Sequence, residues 1–203
     1  SGGSAENIPG ALQKSLERLE TDRVDMYKMH APDANTPISE TMAALTAEVD
    51  AGRVEVIGCS NYSAVQLREA LDASAEDGYR RFEVVQPPYN LVHSDSDKEL
   101  FPLCKAEEIA ITSYSPLGAG FLTGKYTPDR SALPRGTRFD IKGDHVDDYF
   151  NERNFRIVDR LRDKAAELGV PMVRLAMAWA MANPDVTSVI VGARTTAHID
   201  NAL

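Results

Sequence analysis

The chain of 203 residues has little cysteine, little tryptophan and a deficit of basic charge. Its two cysteines, Cys59 and Cys104, stand far apart with no CxxC pattern and no His-rich neighbour, which argues against a disulfide framework and against a zinc site. Lysine and arginine number 22 against 31 aspartates and glutamates, a formal charge of −9. Without a basic footprint, neither a nucleic-acid backbone nor an anionic membrane surface is a general partner. No apolar run approaches the roughly 20 residues that span a bilayer, and the opening residues lack the hydrophobic core of a signal peptide. A cytoplasmic location fits these features. Ser1-Gly2-Gly3-Ser4 reads as linker or tag, so residues 1–6 are expected to lie outside a single domain over 7–203.

What is present is enough apolar mass for a core. Hydrophobic residues make up 43% of the chain, which separates it from disordered acidic tails. Apolar strand-like runs fall at 24–30, 54–60, 82–88, 109–115 and 187–193. The first three intervals between their starts are close to 28 residues, and each holds a stretch of helical period, the first two closing on Gly52 and Gly78. The repeated unit is βα. Strands apolar on both alternating faces point to a parallel sheet covered by helices, with nothing on the strands facing water. Right-handed βα units of this length wind into an open sheet or close into a barrel, and periodicity does not choose. The fourth interval holds a Gly/Pro/Arg-rich loop (118–143), an acidic-aromatic segment and two helices. An elaborate loop after the C-terminal end of a strand is where β/α folds place ligands.

Polar residues collect at those strand ends. His30 closes the first strand, in YKMHAPD, and offers a general acid or an orienting donor, with a satisfied structural histidine as the competing reading. Lys28 lies on the same strand face; it is either a paired or pKa-shifted interior lysine or one whose head snorkels out. Ser60 and Asn61 close the second strand and Gln86 the third, groups that can bind an amide, while Ser63 suits a helix N-cap. Tyr114 offers a flat ring, and Ser115 to Lys125 form a Gly-rich loop with one basic residue that suits a phosphate or is simply flexible. Gly192, Arg194 and Thr195 precede a helix start, where an anion is held or where a Thr caps the helix beside a solvated Arg.

Together, YKMHAPD, NTPISETMAAL, GRVEVIGCSNYS, VVQPPYN, SYSPLGAGFLTGKY, LAMAWAMANP and VIVGART resemble the aldo-keto reductase superfamily, in order over about residues 7–203. The wording is most similar to the aflatoxin-aldehyde and succinic-semialdehyde reductase branch. The resemblance implies an eight-stranded (β/α)8 TIM barrel, of which about five βα units are here, reducing aldehydes or ketones to alcohols with NADPH and without metal. It implies that His30 acts at the substrate carbonyl, that Ser60, Asn61 and Gln86 hold the nicotinamide carboxamide, and that Tyr114 stacks on the ring. Ser115, Leu117, Gly120, Leu122 and Lys125 fall where the pyrophosphate is clasped, and Gly192, Arg194 and Thr195 in the region that holds the 2′-phosphate. His198, Asn201 and Ala202 depart from the usual adenine-side residues.

The superfamily's catalytic Tyr, Lys and Asp come from earlier βα units, and neither Tyr27 nor Lys28 takes their place. The expectation is a partial barrel that keeps the cofactor site but reduces carbonyls poorly by itself, since general acid catalysis is worth about 10² to 10⁴-fold. The alternative is a non-catalytic NADP-binding regulatory module or a structural fragment. Uncovered strand edges favour association, so self-association through them is a further expectation. Arg135, Arg138 and Lys142 in the long loop either face an acidic substrate, close over the cofactor, or are solvated.

Overall fold

Ile8, Leu12 and Leu16, spaced four apart, bury one face of the first helix, α1 (Asn7–Leu19). A computed structural model describes residues 2–143 and 145–202. After α1 come β1 (Val24–Met29), α2 (Ile38–Asp50), β2 (Val54–Ser60), α3 (Ala64–Asp77), β3 (Val84–Gln86), α4 (Leu100–Ala106) and β4 (Ala110–Tyr114). The remainder forms α5 (Arg138–Ile141), α6 (Val146–Tyr149), α7 (Glu152–Leu168), α8 (Met172–Met181), β5 (Ser188–Ile190) and α9 (Thr196–Asp200). The sheet order β1-β2-β3-β4-β5 is the order in the chain, and the β1–β2, β2–β3 and β3–β4 registers are parallel. The βα repeat read from the spacing is thus what the chain builds.

Two compact units divide the chain: residues up to Pro87 together with Asp97–Thr112, and Pro88–Ser96 together with residues from Ser113 onward. In the first unit, Ile57, Cys59, Val85 and Ile111 form one buried strand face, and Met42, Leu45, Leu67 and Leu71 of the helices are buried with them. Each such side chain contributes roughly 1.5–3 kcal/mol by leaving water. Ser63 caps α3 as expected, accepting from the Gln66 N–H while the Gln66 side chain accepts from the Ser63 N–H, and Gly78 ends the helix in the left-handed conformation. β3 is shorter than the 82–88 run at both ends, and it stops at Gln86 because Pro87 and Pro88 have no N–H for the ladder. Phe82 is buried outside the strand, edge-on to Tyr62 at 5.6 Å. Residues 2–6, expected as linker, are tethered to α2 and the turn before it: the Gly3 N–H donates to Asp33 Oδ2 at 2.8 Å and the Thr41 hydroxyl to the Gly3 carbonyl at 2.8 Å.

The second unit is built around aromatic rings. Phe121 stacks on or meets Tyr126, Tyr149, Phe150 and Phe155 with centroids 5.0–6.3 Å apart. The loop over 118–143 is more ordered than its composition predicts, containing 3-10 turns at Gly118–Thr123 and Arg130–Ala132 as well as α5. Phe121, Leu122, Tyr126 and Phe139 from that stretch are all in the core, and this burial orders it. α7 begins at Asn151, whose side chain accepts from the Asn154 N–H, and ends on left-handed Gly169. α8 starts directly after Pro171.

The expectation that nothing on the strands faces water does not hold. Met26 on β1 is 41% exposed and Ile190 on β5 is 42% exposed. Helices cover one face of β1 and β2, whereas the alternate face that carries Met26, Lys28 and Val56 is only partly shielded. Among the described residues, no helix is long and apolar enough to cross a membrane and no group of three or more His, Cys, Asp or Glu side chains is placed to hold a metal ion.

Candidate functional site

Strand register brings the predicted polar residues of the first unit to one rim. Ser60 pairs with Gln86 across β2 and β3, and Met29, the residue before His30, pairs with Cys59 across β1 and β2. Side-chain hydrogen bonds then tie the three strand ends sideways. The Asn61 Nδ2 donates to the His30 carbonyl at 2.7 Å and to Ser60 Oγ at 3.2 Å, and the Ser60 hydroxyl donates to the Gln86 carbonyl at 2.7 Å. Asn61 has φ +62°, a left-handed turn that asparagine tolerates better than other side chains. His30 is exposed, and Gln86 is half-buried.

Lys28 completes this rim, and its role is clearer in the structure than in the sequence. Its ammonium donates to Gln86 Oε1 and lies 3.5 Å from Thr112 Oγ1. Burial pushes its pKa below the ordinary lysine value. Gly58, the register partner of both Lys28 and Val84, is the residue that sequence reading missed. A Cβ there would lie 2.5 Å from the Val84 carbonyl oxygen and 3.1 Å from the Lys28 Cγ, so the missing side chain is what lets the lysine stem cross β2. Tyr27 alternates to the other strand face, where burial and the Glu48 carboxylate push its phenol up. It is not a proton donor for the rim.

In the second unit, Tyr114 is half-buried and burial raises its phenol pKa. Its carbonyl accepts from the Tyr89 N–H at 3.0 Å. Ser115 takes a φ of +55°, unfavourable for a residue with a side chain. The fully buried Asn90 holds that bend: its Nδ2 donates to the Ser115 carbonyl at 2.9 Å, and its Oδ1 accepts from the Val92 and His93 N–H groups at 3.0 Å each. Asn90 was not a predicted site residue, and its only sequence signal was a place just past a strand end.

The Gly-rich loop departs from a simple cradle of backbone donors. The Gly118 N–H bonds to the Ser115 carbonyl, and the Gly120 and Leu122 N–H groups bond to the Leu117 carbonyl. Leu122 is fully buried in the aromatic core. Lys125 folds back so that a Cβ on Gly120, which has φ +85°, would lie 2.8 Å from its Nζ, and the ammonium sits 5.2 Å from the Tyr126 ring centroid. A cation over the bend is the feature there that could meet an anion.

Past β5, Gly192 is exposed with nothing near an added Cβ. Thr195 occupies the N-cap position of α9 with extended backbone but its side chain makes no capping bond. Arg194, Thr195, His198 and Asn201 are exposed. The Arg194 N–H donates to His198 Nδ1 at 3.1 Å, and its Nη1 donates to the Gly136 carbonyl at 3.2 Å.

The sequence model of the Aldo/keto reductase family matches residues 1–203. The chain belongs to the aldo/keto reductase family. Family relatives include a probable voltage-gated potassium channel subunit beta of Arabidopsis thaliana, 37% identical over 98% of this chain and 61% of its own length. An NADH-specific methylglyoxal reductase of Escherichia coli is 32% identical over 94% of this chain and 56% of its own, and an L-glyceraldehyde 3-phosphate reductase of the same species is 29% identical over 98% and 58%. The chain therefore spans about three fifths of the length of these curated relatives.

Proposed function

We propose that the protein is an NADP-dependent oxidoreductase that reduces aldehydes or ketones to alcohols, with this chain supplying the dinucleotide-binding groups. The observation that carries the reading is the rim in which Asn61, Ser60, Gln86 and the His30 carbonyl are joined by hydrogen bonds at three neighbouring strand ends. With Lys28 on Gln86 Oε1, the Gln86 amide presents its Nε2 donor to a carboxamide oxygen. That donor set fits a nicotinamide carboxamide. On the second unit, taken by itself, the half-buried Tyr114 ring offers a flat face. Bound NADPH would supply the hydride. His30 would donate to or orient the carbonyl oxygen on which negative charge develops.

On the second unit, Lys125 at the Gly120 bend, with Ser115, Leu117 and Leu122 shaping the turn, suits a pyrophosphate. Exposed Arg194 and Thr195, following Gly192, suit the 2′-phosphate, with His198 and Asn201 beside the adenine. The arginine is the basis for NADP over NAD, since a guanidinium pairs well with a phosphate monoester. The free, buried Cys59 and Cys104 suit a reducing compartment such as the cytoplasm.

The test is a fluorescence titration with NADPH and NADH. NADPH should bind the more tightly, and Arg194→Ala should cost about tenfold or more in NADPH affinity while sparing NADH. Equal affinity for the two would overturn NADP selectivity. A second reading, a nucleotide-binding regulatory subunit without turnover, has the 37% identical relative named as a channel beta subunit behind it. Binding of NADPH with no aldehyde-dependent oxidation would favour it.

A further inference from the structure

Lys28 carries a charge that its surroundings leave uncancelled. Its partners among the described residues are neutral, the amide oxygen of Gln86 and the hydroxyl of Thr112. The Thr112 hydroxyl proton is directed to the Val85 carbonyl at 3.4 Å, so its lone pair faces the ammonium. The Lys28 stem reaches these partners only because β2 has Gly58 between them, where a Cβ would crowd both the Val84 carbonyl and the Lys28 stem. The contact therefore runs from β1 across β2 to β3 and β4, built from residues of one compact unit. Burial lowers the pKa of the ammonium, in keeping with a charge partly withdrawn from water.

That charge sits one amide group away from whatever Gln86 binds. The reduced nicotinamide ring is uncharged, whereas the oxidised ring is a cation. A fixed ammonium behind the carboxamide contact repels the second and not the first, and in a partly desolvated site the repulsion is felt over several ångströms. We propose that Lys28, acting through its bond to Gln86, is a specificity-determining residue that makes the site favour the reduced cofactor over the oxidised one. This rests on the cofactor reading above and adds to it a bias toward the reductive direction, because a site that releases the oxidised form readily resists inhibition by its own product.

The test separates charge from orientation. In K28Q the side-chain amide still donates to Gln86 Oε1 but the charge is gone; K28M removes both, and K28R keeps the charge. Dissociation constants for NADPH and NADP⁺ are measured on the full chain by fluorescence and calorimetry, with circular dichroism melts to confirm folding. The expected result is that K28Q tightens NADP⁺ relative to NADPH by about tenfold, with K28R close to wild type. Should K28Q fail to fold, K28M reads the same ratio. Equal weakening of both forms, or an unmoved ratio, would overturn the proposal and leave Lys28 a strut for Gln86 with the cofactor reading intact. If the wild-type chain binds neither form, the cofactor reading fails and this proposal falls with it.

Discussion

The two units place their functional groups by different means. In the first, a parallel ladder sets which residues stand side by side, and short polar side chains lock the strand ends together. In the second, short turns and small helices have no ladder to fix them, and the rings of Phe121, Tyr126, Tyr149 and Phe150 together with buried Asn90 do the holding. A strand end is positioned by neighbours at fixed register, so its chemistry survives many changes in packing. A bend such as Ser115 is positioned by particular side chains, and losing one loses the bend.

The largest expected effect is therefore in the second unit. Phe121→Ala removes the ring at the centre of the aromatic cluster and should cost about 3–5 kcal/mol, measured by urea denaturation and by faster hydrogen exchange at Leu122 and Tyr126. A cost under about 1 kcal/mol would mean that the cluster does not hold this unit together. Asn90→Ala leaves the Val92 N–H without its partner and takes one of two partners from the Ser115 carbonyl and the His93 N–H; it should cost about 1–3 kcal/mol, with the Ser115 amide shift moving most in NMR spectra. In the first unit, Ser63→Ala removes a cap whose loss is worth about 1 kcal/mol and should fray only the first turn of α3. The smallest effect has the opposite sign. The buried Ser113 hydroxyl has no hydrogen-bond partner among the described residues, so Ser113→Ala should be neutral or stabilising by up to about 1 kcal/mol in the same denaturation experiment.

The same contrast explains what could be read from the sequence. The βα period, the capping box at Ser63 and the polar strand ends are local patterns, so their elements and neighbours follow from spacing. Lys28 could be placed on a strand face, but its partner could not be named, because reaching Gln86 depends on Gly58 and a bare glycine in a strand has several explanations. Loop 118–143 was legible only as composition. Its order comes from rings brought together from distant positions, such as Phe121 with Phe150 and Phe155, and no window along the chain contains that information. The short β3 is a simpler case: the Pro87-Pro88 stop was visible, yet the apolar run suggested a longer strand.

Asn61 grips the carbonyl of His30 and not its ring. Every amino acid has that carbonyl, so position 30 is anchored whatever residue stands there, and the imidazole is free to be exchanged without disturbing its support. The side chain at position 30 and the anchor beneath it are therefore separable: a substitution there changes what faces the rim without changing what ties the end of β1 to the end of β2.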